Sequence, residues 1–115
     1  MSTNRDDRIY LEHILEAASK AARYLQGIDE AGFKNDTLVQ DGVIRQIEII
    51  GEAAKRVSLQ FRAVQPDIPW QDMAGMRDKL NHDYFGVDIM QVWLTATEDL
   101  PPLIEHIKNL IPRQQ

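Results

Sequence analysis

The densest run of chemically able side chains is Arg77-Asp78-Lys79-Leu80-Asn81-His82-Asp83-Tyr84, in which arginine, histidine and tyrosine stand in the spacing R-x4-H-x-Y. A histidine titrates near neutral pH and can take or give a proton. A guanidinium offers a planar fork matched to phosphate oxygens. A tyrosine supplies a hydroxyl that positions a ligand or serves as an attachment point. Such a set suits cleavage of an RNA phosphodiester without metal. His82 would take the proton from the ribose 2′-OH, and Arg77 would stabilise the charge that builds on the phosphoryl oxygens. One histidine does not easily serve both the entering and the leaving oxygen, so a two-fold dimer that brings a second motif opposite would supply the acid. The same residues also fit a solvated helix end, with Arg77 in a surface ion pair and His82 against the last helical carbonyls.

The elements around the motif decide whether these groups meet. Residues five apart lie about 140° around a helix axis, so Arg77 and His82 share no face of an unbroken helix. A helix that ends near Leu80 or His82 would let the histidine swing round. Upstream, Tyr10, Ile14, Ala17, Ala21, Tyr24 and Ile28 recur at steps of three and four and form one apolar stripe. Gly27 and Gly32 punctuate the chain after it, and Asn35 or Asp36 can cap the next helix. That helix, expected from about Asp36 to Arg56, opens a seam of Val43, Ile47, Ile50, Ala54, Val57 and Phe61. Leu38, Gly42, Ile49 and Ala53 form a second apolar strip, which fits either central burial or a subunit contact. Ser58 can cap a short turn through Phe61. Pro66 and Pro69 bracket a loop, and Pro69 suits the first turn of a helix from Trp70 to about Leu80. Gly86 marks a turn and Asp88 can cap a last long segment whose apolar face runs from Ile89 to Leu110. Pro101-Pro102 falls inside that segment and predicts a kink or break. No alternating pattern argues for a strand. The fold class expected is all-α, an antiparallel bundle of four to five helices in a single domain over residues 1–115.

Totals narrow the functional classes. The chain has 115 residues, 43% hydrophobic and 27% charged, an ordinary globular mix. No apolar run approaches the roughly 18 residues of a membrane span, and the polar start, Met1 to Arg8, lacks the apolar core of a signal peptide. There is no cysteine, which excludes disulfides and thiolate metal sites and suits a reducing compartment, the cytoplasm. The net charge of −5 argues against broad non-specific binding of nucleic acid, but leaves room for a local phosphate site.

Other candidates carry less. Glu52 stands four residues from both Glu48 and Arg56; it fits a salt-bridged exposed face, or a carboxylate that orients Arg77 across a helix interface. His13 and His106 neighbour Glu12 and Glu105 in sequence, so each acid points to another face. With no Glu-x-x-His pair and no zinc-protease spacing, no metal or other cofactor is expected. Trp70 and Trp93 fall within apolar patterns and read as core anchors.

The chain resembles the HepT-like toxins of the HEPN superfamily. The resemblance rests on Arg77-x4-His82-x-Tyr84, on Ile49-Ile50-Gly51-Glu52-Ala53-Ala54-Lys55-Arg56, on Ile68-Pro69-Trp70 and Gly75-Met76-Arg77, and on Tyr84-Phe85-Gly86-Val87-Asp88, Val92-Trp93 and Leu100-Pro101. It covers about Ile9 to Leu110. A polar residue after the arginine fits the family, and here it is Asp78; Asp83 stands where glycine is commoner. The resemblance implies a helical bundle that dimerises and sets two motifs at the subunit cleft. It implies a metal-independent endoribonuclease with Arg77, His82 and Tyr84 as the catalytic set and Asp78 and Glu52 in support. It also implies a partner, a minimal nucleotidyltransferase antitoxin that silences the toxin by transferring AMP to Tyr84. The rival expectation is a HEPN-type module that binds a nucleotide or a nucleotidyltransferase and does not cleave.

Overall fold

The computed structural model describes residues 5–80 and 87–111, with side chains described for 5–76 and 87–111. Every regular element among the described residues is helical: α1 (Arg5–Tyr24), α2 (Glu30–Lys34), α3 (Thr37–Arg56), α4 (Leu59–Val64), α5 (Trp70–Leu80), α6 (Ile89–Leu94) and α7 (Leu100–Leu110). A π-helical turn, Thr95–Asp99, joins α6 to α7. Four runs build the bundle: α1, α3, α5 and the α6–α7 arm; α2 and α4 are short connectors.

Helix α3 is the central strut. It packs along α1 on one side and α5 on the other, and touches α2 and α6, while α7 closes against α1. Its main seam explains this. Val43, Ile47, Ile50 and Ala54 are fully buried and Val57 nearly so. On α1, Leu11, Ile14, Ala18 and Ala21 are equally enclosed, and Met73 and Leu103 extend the core from α5 and α7. Burying each large aliphatic side chain stabilises the fold by about 1.5–3 kcal/mol relative to leaving it exposed. The α1 stripe ends sooner than its spacing suggests. Tyr24 is 39% exposed, and Ile28 lies beyond the helix, half-buried.

Side-chain caps set the boundaries. Asp36 accepts from the Val39 N–H at 3.1 Å and starts α3. Ser58 accepts from the Phe61 N–H at 3.1 Å and starts α4, and Asp88 does the same for α6 through Gln91 at 3.2 Å. At the other end of α3, Arg62 lays its guanidinium on the carbonyls of Ala54, Lys55 and Val57, covering groups the helix leaves unpaired. One polar contact spans much of the chain. The buried Asp7 carboxylate accepts from both the N–H and the hydroxyl of Ser58, each at 2.7 Å. It ties the start of α1 to the start of α4 with charge-assisted bonds.

Two features correct the sequence expectations. Gly32 does not only punctuate the chain: it lies within α2, a short helix capped by Asp29, whose carboxylate accepts from the Gly32 N–H at 2.8 Å. The buried Gln40 side chain donates to the Phe33 and Lys34 carbonyls and so closes the other end of α2. The disturbance expected at Pro101-Pro102 is present and takes a specific form. The two prolines occupy the first turn of α7, and the preceding turn widens, with the Leu100 N–H reaching the Thr95 carbonyl five residues back. Prolines lack the N–H for the preceding turn and crowd its carbonyls, and a π turn relieves both. Thr97 satisfies one carbonyl there, its hydroxyl donating to Trp93 at 2.8 Å.

Candidate active site

Arg77 and Asp78 lie on α5. His82 and Tyr84 lie outside the described residues, as do the side chains of Arg77 and Asp78.

The frame that carries Arg77 is defined. Trp70 opens α5, 7% exposed, and its indole N–H donates to the Gln65 carbonyl at 2.9 Å, closing the loop through Pro66 and Pro69. Phe61 meets the Trp70 ring edge-on, with centroids 6.2 Å apart. Met73 is fully buried and Met76 is 7% exposed. Helix α5 therefore binds the core through residues one turn apart, and Arg77 stands one turn beyond Met73. Trp93, the other tryptophan, is half-buried and stacks at a tilt on Phe33 with centroids 5.4 Å apart. Both tryptophans are core anchors.

Gly51 fixes how closely α3 and α5 approach. A Cβ at this position would lie 3.3 Å from the Met73 carbonyl oxygen and 3.7 Å from that of Ala74. The glycine of the Gly51-Glu52-Ala53-Ala54 run is therefore a contact point for the turn of α5 that leads to Arg77. Gly51→Ala should change stability by less than about 1 kcal/mol, because relief of a mid-helix glycine offsets the crowding. Gly51→Val should cost about 1–3 kcal/mol, since its branches have only a backbone carbonyl to displace. Thermal melts of the two variants check this, and an unchanged melt for Gly51→Val would contradict so close an approach.

Glu52, the next residue, is exposed on α3. On the same face Arg45 approaches Glu48 at 4.0 Å, an i,i+3 pair at the limit of ion-pair distance. The second apolar strip of α3 is divided in its fate. Ala53 is buried, Ile49 is half-buried, the Tyr24 ring lies over Gly42 where an added Cβ would come within 3.2 Å of it, and Leu38 is 81% exposed.

Two clefts flank this frame. One, of about 310 Å³, runs between α1 and α3 and is lined by Tyr10, His13, Arg45, Ile49, Glu52, Ala53 and Arg56. The other, of about 390 Å³, lies between the start of α5 and the π turn with α7, and gathers Asp72, Glu98, Asp99 and His106 over Met73, Met76 and Leu103. Neither cleft is evident from the motif. The first has a trace in the sequence, since 45, 49, 52, 53 and 56 follow helical spacing; the second joins residues some thirty apart. Among the described residues no helix is long and apolar enough to cross a membrane.

Comparison with known proteins now places the chain. The model of the HepT-like ribonuclease family matches residues 14–110. The chain is 46% identical over 99 residues to the "Probable ribonuclease HepT" of Thermococcus cleftensis, covering 86% of this chain and 90% of that protein. It is 37% identical over 108 residues to a protein of Caldanaerobacter subterraneus subsp. tengcongensis that carries the name RNase, covering 94% and 96% of the two chains. It is 42% identical over 107 residues to a Methanocaldococcus jannaschii protein whose name joins a gamma-glutamylcyclotransferase to an RNase, covering 93% of this chain and 48% of that one. No solved structure gives a significant match. A match of this extent, on a chain whose described residues form an all-helical bundle with Arg77 on α5, makes the chain a member of the HepT-like ribonuclease family of the HEPN superfamily.

Proposed function

We propose that the chain is a metal-independent endoribonuclease toxin, active as a homodimer in the cytoplasm, that cleaves RNA with Arg77 and His82. The observation that carries this reading is the family match over residues 14–110, which spans an Arg77-x4-His82-x-Tyr84 run with all three residue types present. His82 removes the proton from a ribose 2′-OH. The 2′ oxygen attacks the adjacent phosphorus, and the bond to the 5′ oxygen breaks, leaving a 2′,3′-cyclic phosphate and a 5′-OH. Arg77 bears on the non-bridging oxygens as their charge rises. The proton for the leaving 5′ oxygen comes from the same motif of a second copy, which makes dimerisation part of the chemistry. Asp78 and Glu52 act as positioning residues for Arg77.

Regulation follows from Tyr84. A minimal nucleotidyltransferase antitoxin transfers AMP to its hydroxyl, adding bulk and negative charge two residues from His82. An RNA phosphate is then excluded both sterically and by repulsion.

Expression of the chain alone in a bacterial host should arrest growth, and either His82→Ala or Arg77→Ala should relieve the arrest at equal protein level. Co-expression with a minimal nucleotidyltransferase should relieve it too, but not for Tyr84→Phe, which offers no hydroxyl for AMP. A harmless wild-type chain that needs Arg77 and His82 to bind its partner would favour a non-catalytic binding module instead, a reading to which the net charge of −5 is better suited.

A further inference from the structure

A ribonuclease with an excess of five acidic charges has to meet RNA at a few chosen places. Arg8, Lys20, Lys34 and Lys108 each face a carboxylate about one turn away on their own helix, and Arg62 is bound to carbonyls at the end of α3. The cleft between α1 and α3 is lined by two exposed arginines. Among the described residues Arg56, exposed in the last turn of α3, has no ion-pair partner, and Arg45 has a 4.0 Å approach to Glu48, with 69% of its side chain exposed. Between these guanidiniums the floor is apolar, from Ile49 and Ala53, and the far wall carries the Tyr10 and His13 rings, set edge-on with centroids 6.2 Å apart.

We propose that this α1–α3 cleft is a binding track for single-stranded RNA, with a base held against Tyr10, His13 and Ile49 and flanking phosphates held by Arg45 and Arg56; it rests on the ribonuclease reading above. Eleven residues of helix separate the two arginines by roughly 16 Å of rise. They cannot grip one phosphate together, and so contact two on either side of the enclosed base. Aromatic faces beside exposed guanidiniums are the combination that holds single strands without reading their sequence. The larger cleft fails the same requirements: Asp72, Glu98 and Asp99 would repel a phosphate. The track also adjoins the proposed centre along the chain, since Glu52 follows Gly51, the contact point with α5.

The test compares full-length wild type, the double variant Arg45→Gln/Arg56→Gln, Tyr10→Leu and a remote control, Lys108→Gln. One arm measures steady-state cleavage of a labelled mixed-sequence RNA. The other measures anisotropy with the 2′-O-methylated RNA, which cannot be cleaved through the 2′ oxygen. The double variant should raise KM and Kd about tenfold or more, and kcat should change far less. Its log Kd against log salt should be shallower by about 1.4, the slope of two single-strand phosphate contacts. Tyr10→Leu should weaken binding roughly tenfold with little change in that slope, and the control should match wild type. Unchanged KM, Kd and slope in the double variant, with wild type active, would overturn the track. So would a change in sedimenting mass with RNA affinity per dimer intact, which would make the cleft a subunit contact. Binding through Arg45 and Arg56 by a wild type that cuts no RNA would keep the track and remove the ribonuclease reading.

Discussion

His82→Ala should slow RNA cleavage by about two to four orders of magnitude, the range of a lost general acid–base group. In the proposed dimer each histidine serves as base at one site and as acid at the other, so the upper part of that range is expected. Arg77→Ala should cost about two to three orders, as for removal of one donor to a developing oxyanion. Arg77→Lys should recover only part of it, since an ammonium carries the charge without the bidentate fork. The double variant should be little worse than the poorer single one, because residues that act as a unit are not additive. All should melt like wild type. Single-turnover cleavage by protein with unmodified Tyr84 checks this, and a His82→Ala rate within tenfold of wild type would remove the histidine from the chemistry.

Phe33→Ala should produce the largest loss of stability of any single truncation considered for the connectors, about 3–5 kcal/mol. Phe33 is fully buried although it belongs to a helix of five residues, and its ring rests on Trp93 of α6. It is the side chain through which α2 joins the core. Its loss would leave a cavity beside Trp93 and take away the reason for Gln40 to stay buried over the end of α2. Against a total of about 5–15 kcal/mol for a domain, the change is a large fraction. Urea unfolding followed by tryptophan fluorescence reads it directly, and a shift under about 1 kcal/mol would mean that α2 packs independently of its phenylalanine.

That same residue marks the boundary of what the sequence makes readable. Long helices declare themselves by repetition: Val43, Ile47, Ile50, Ala54 and Val57 follow one face and are buried, while Phe61, next in the same spacing, falls on α4 and is half-buried. Their ends are readable because a cap is a local bond, and Asp36, Ser58 and Asp88 each accept from an N–H three residues on. A one-turn helix offers neither cue. With Gly32 inside it, α2 reads as a turn, and the cap at Asp29 becomes meaningful only once Phe33 has a core to enter. Asp7 is illegible for a different reason. It sits among charged residues at the start of α1, and its partner Ser58 is 51 positions away. At Pro101-Pro102 the cause of a disturbance is evident, yet its form depends on whether the arm can widen while Leu100 and Leu103 stay buried, which the π turn achieves.

For the site, residue types and spacing carry the chemistry, and the fold adds the frame: α5 carries Arg77 and is held against α3 at Gly51. The α1–α3 cleft could be found only once two helices were set side by side, because Tyr10 and His13 have no relation in sequence to Arg45 and Arg56. The face of α3 that carries Arg45, Ile49, Glu52 and Arg56 was equally open to an exposed salt-bridged surface, and only a tertiary neighbour shows what borders it.

The most direct test of the central claim is the identity of the ends left on RNA by the wild-type protein in EDTA, with Tyr84 verified as unmodified by mass spectrometry. The proposed chemistry predicts cleavage without divalent metal, leaving a 2′,3′-cyclic phosphate on one fragment and a 5′-OH on the other. No cleavage of several RNAs by the verified unmodified dimer, or cleavage that requires metal and leaves a 5′-phosphate, would contradict it.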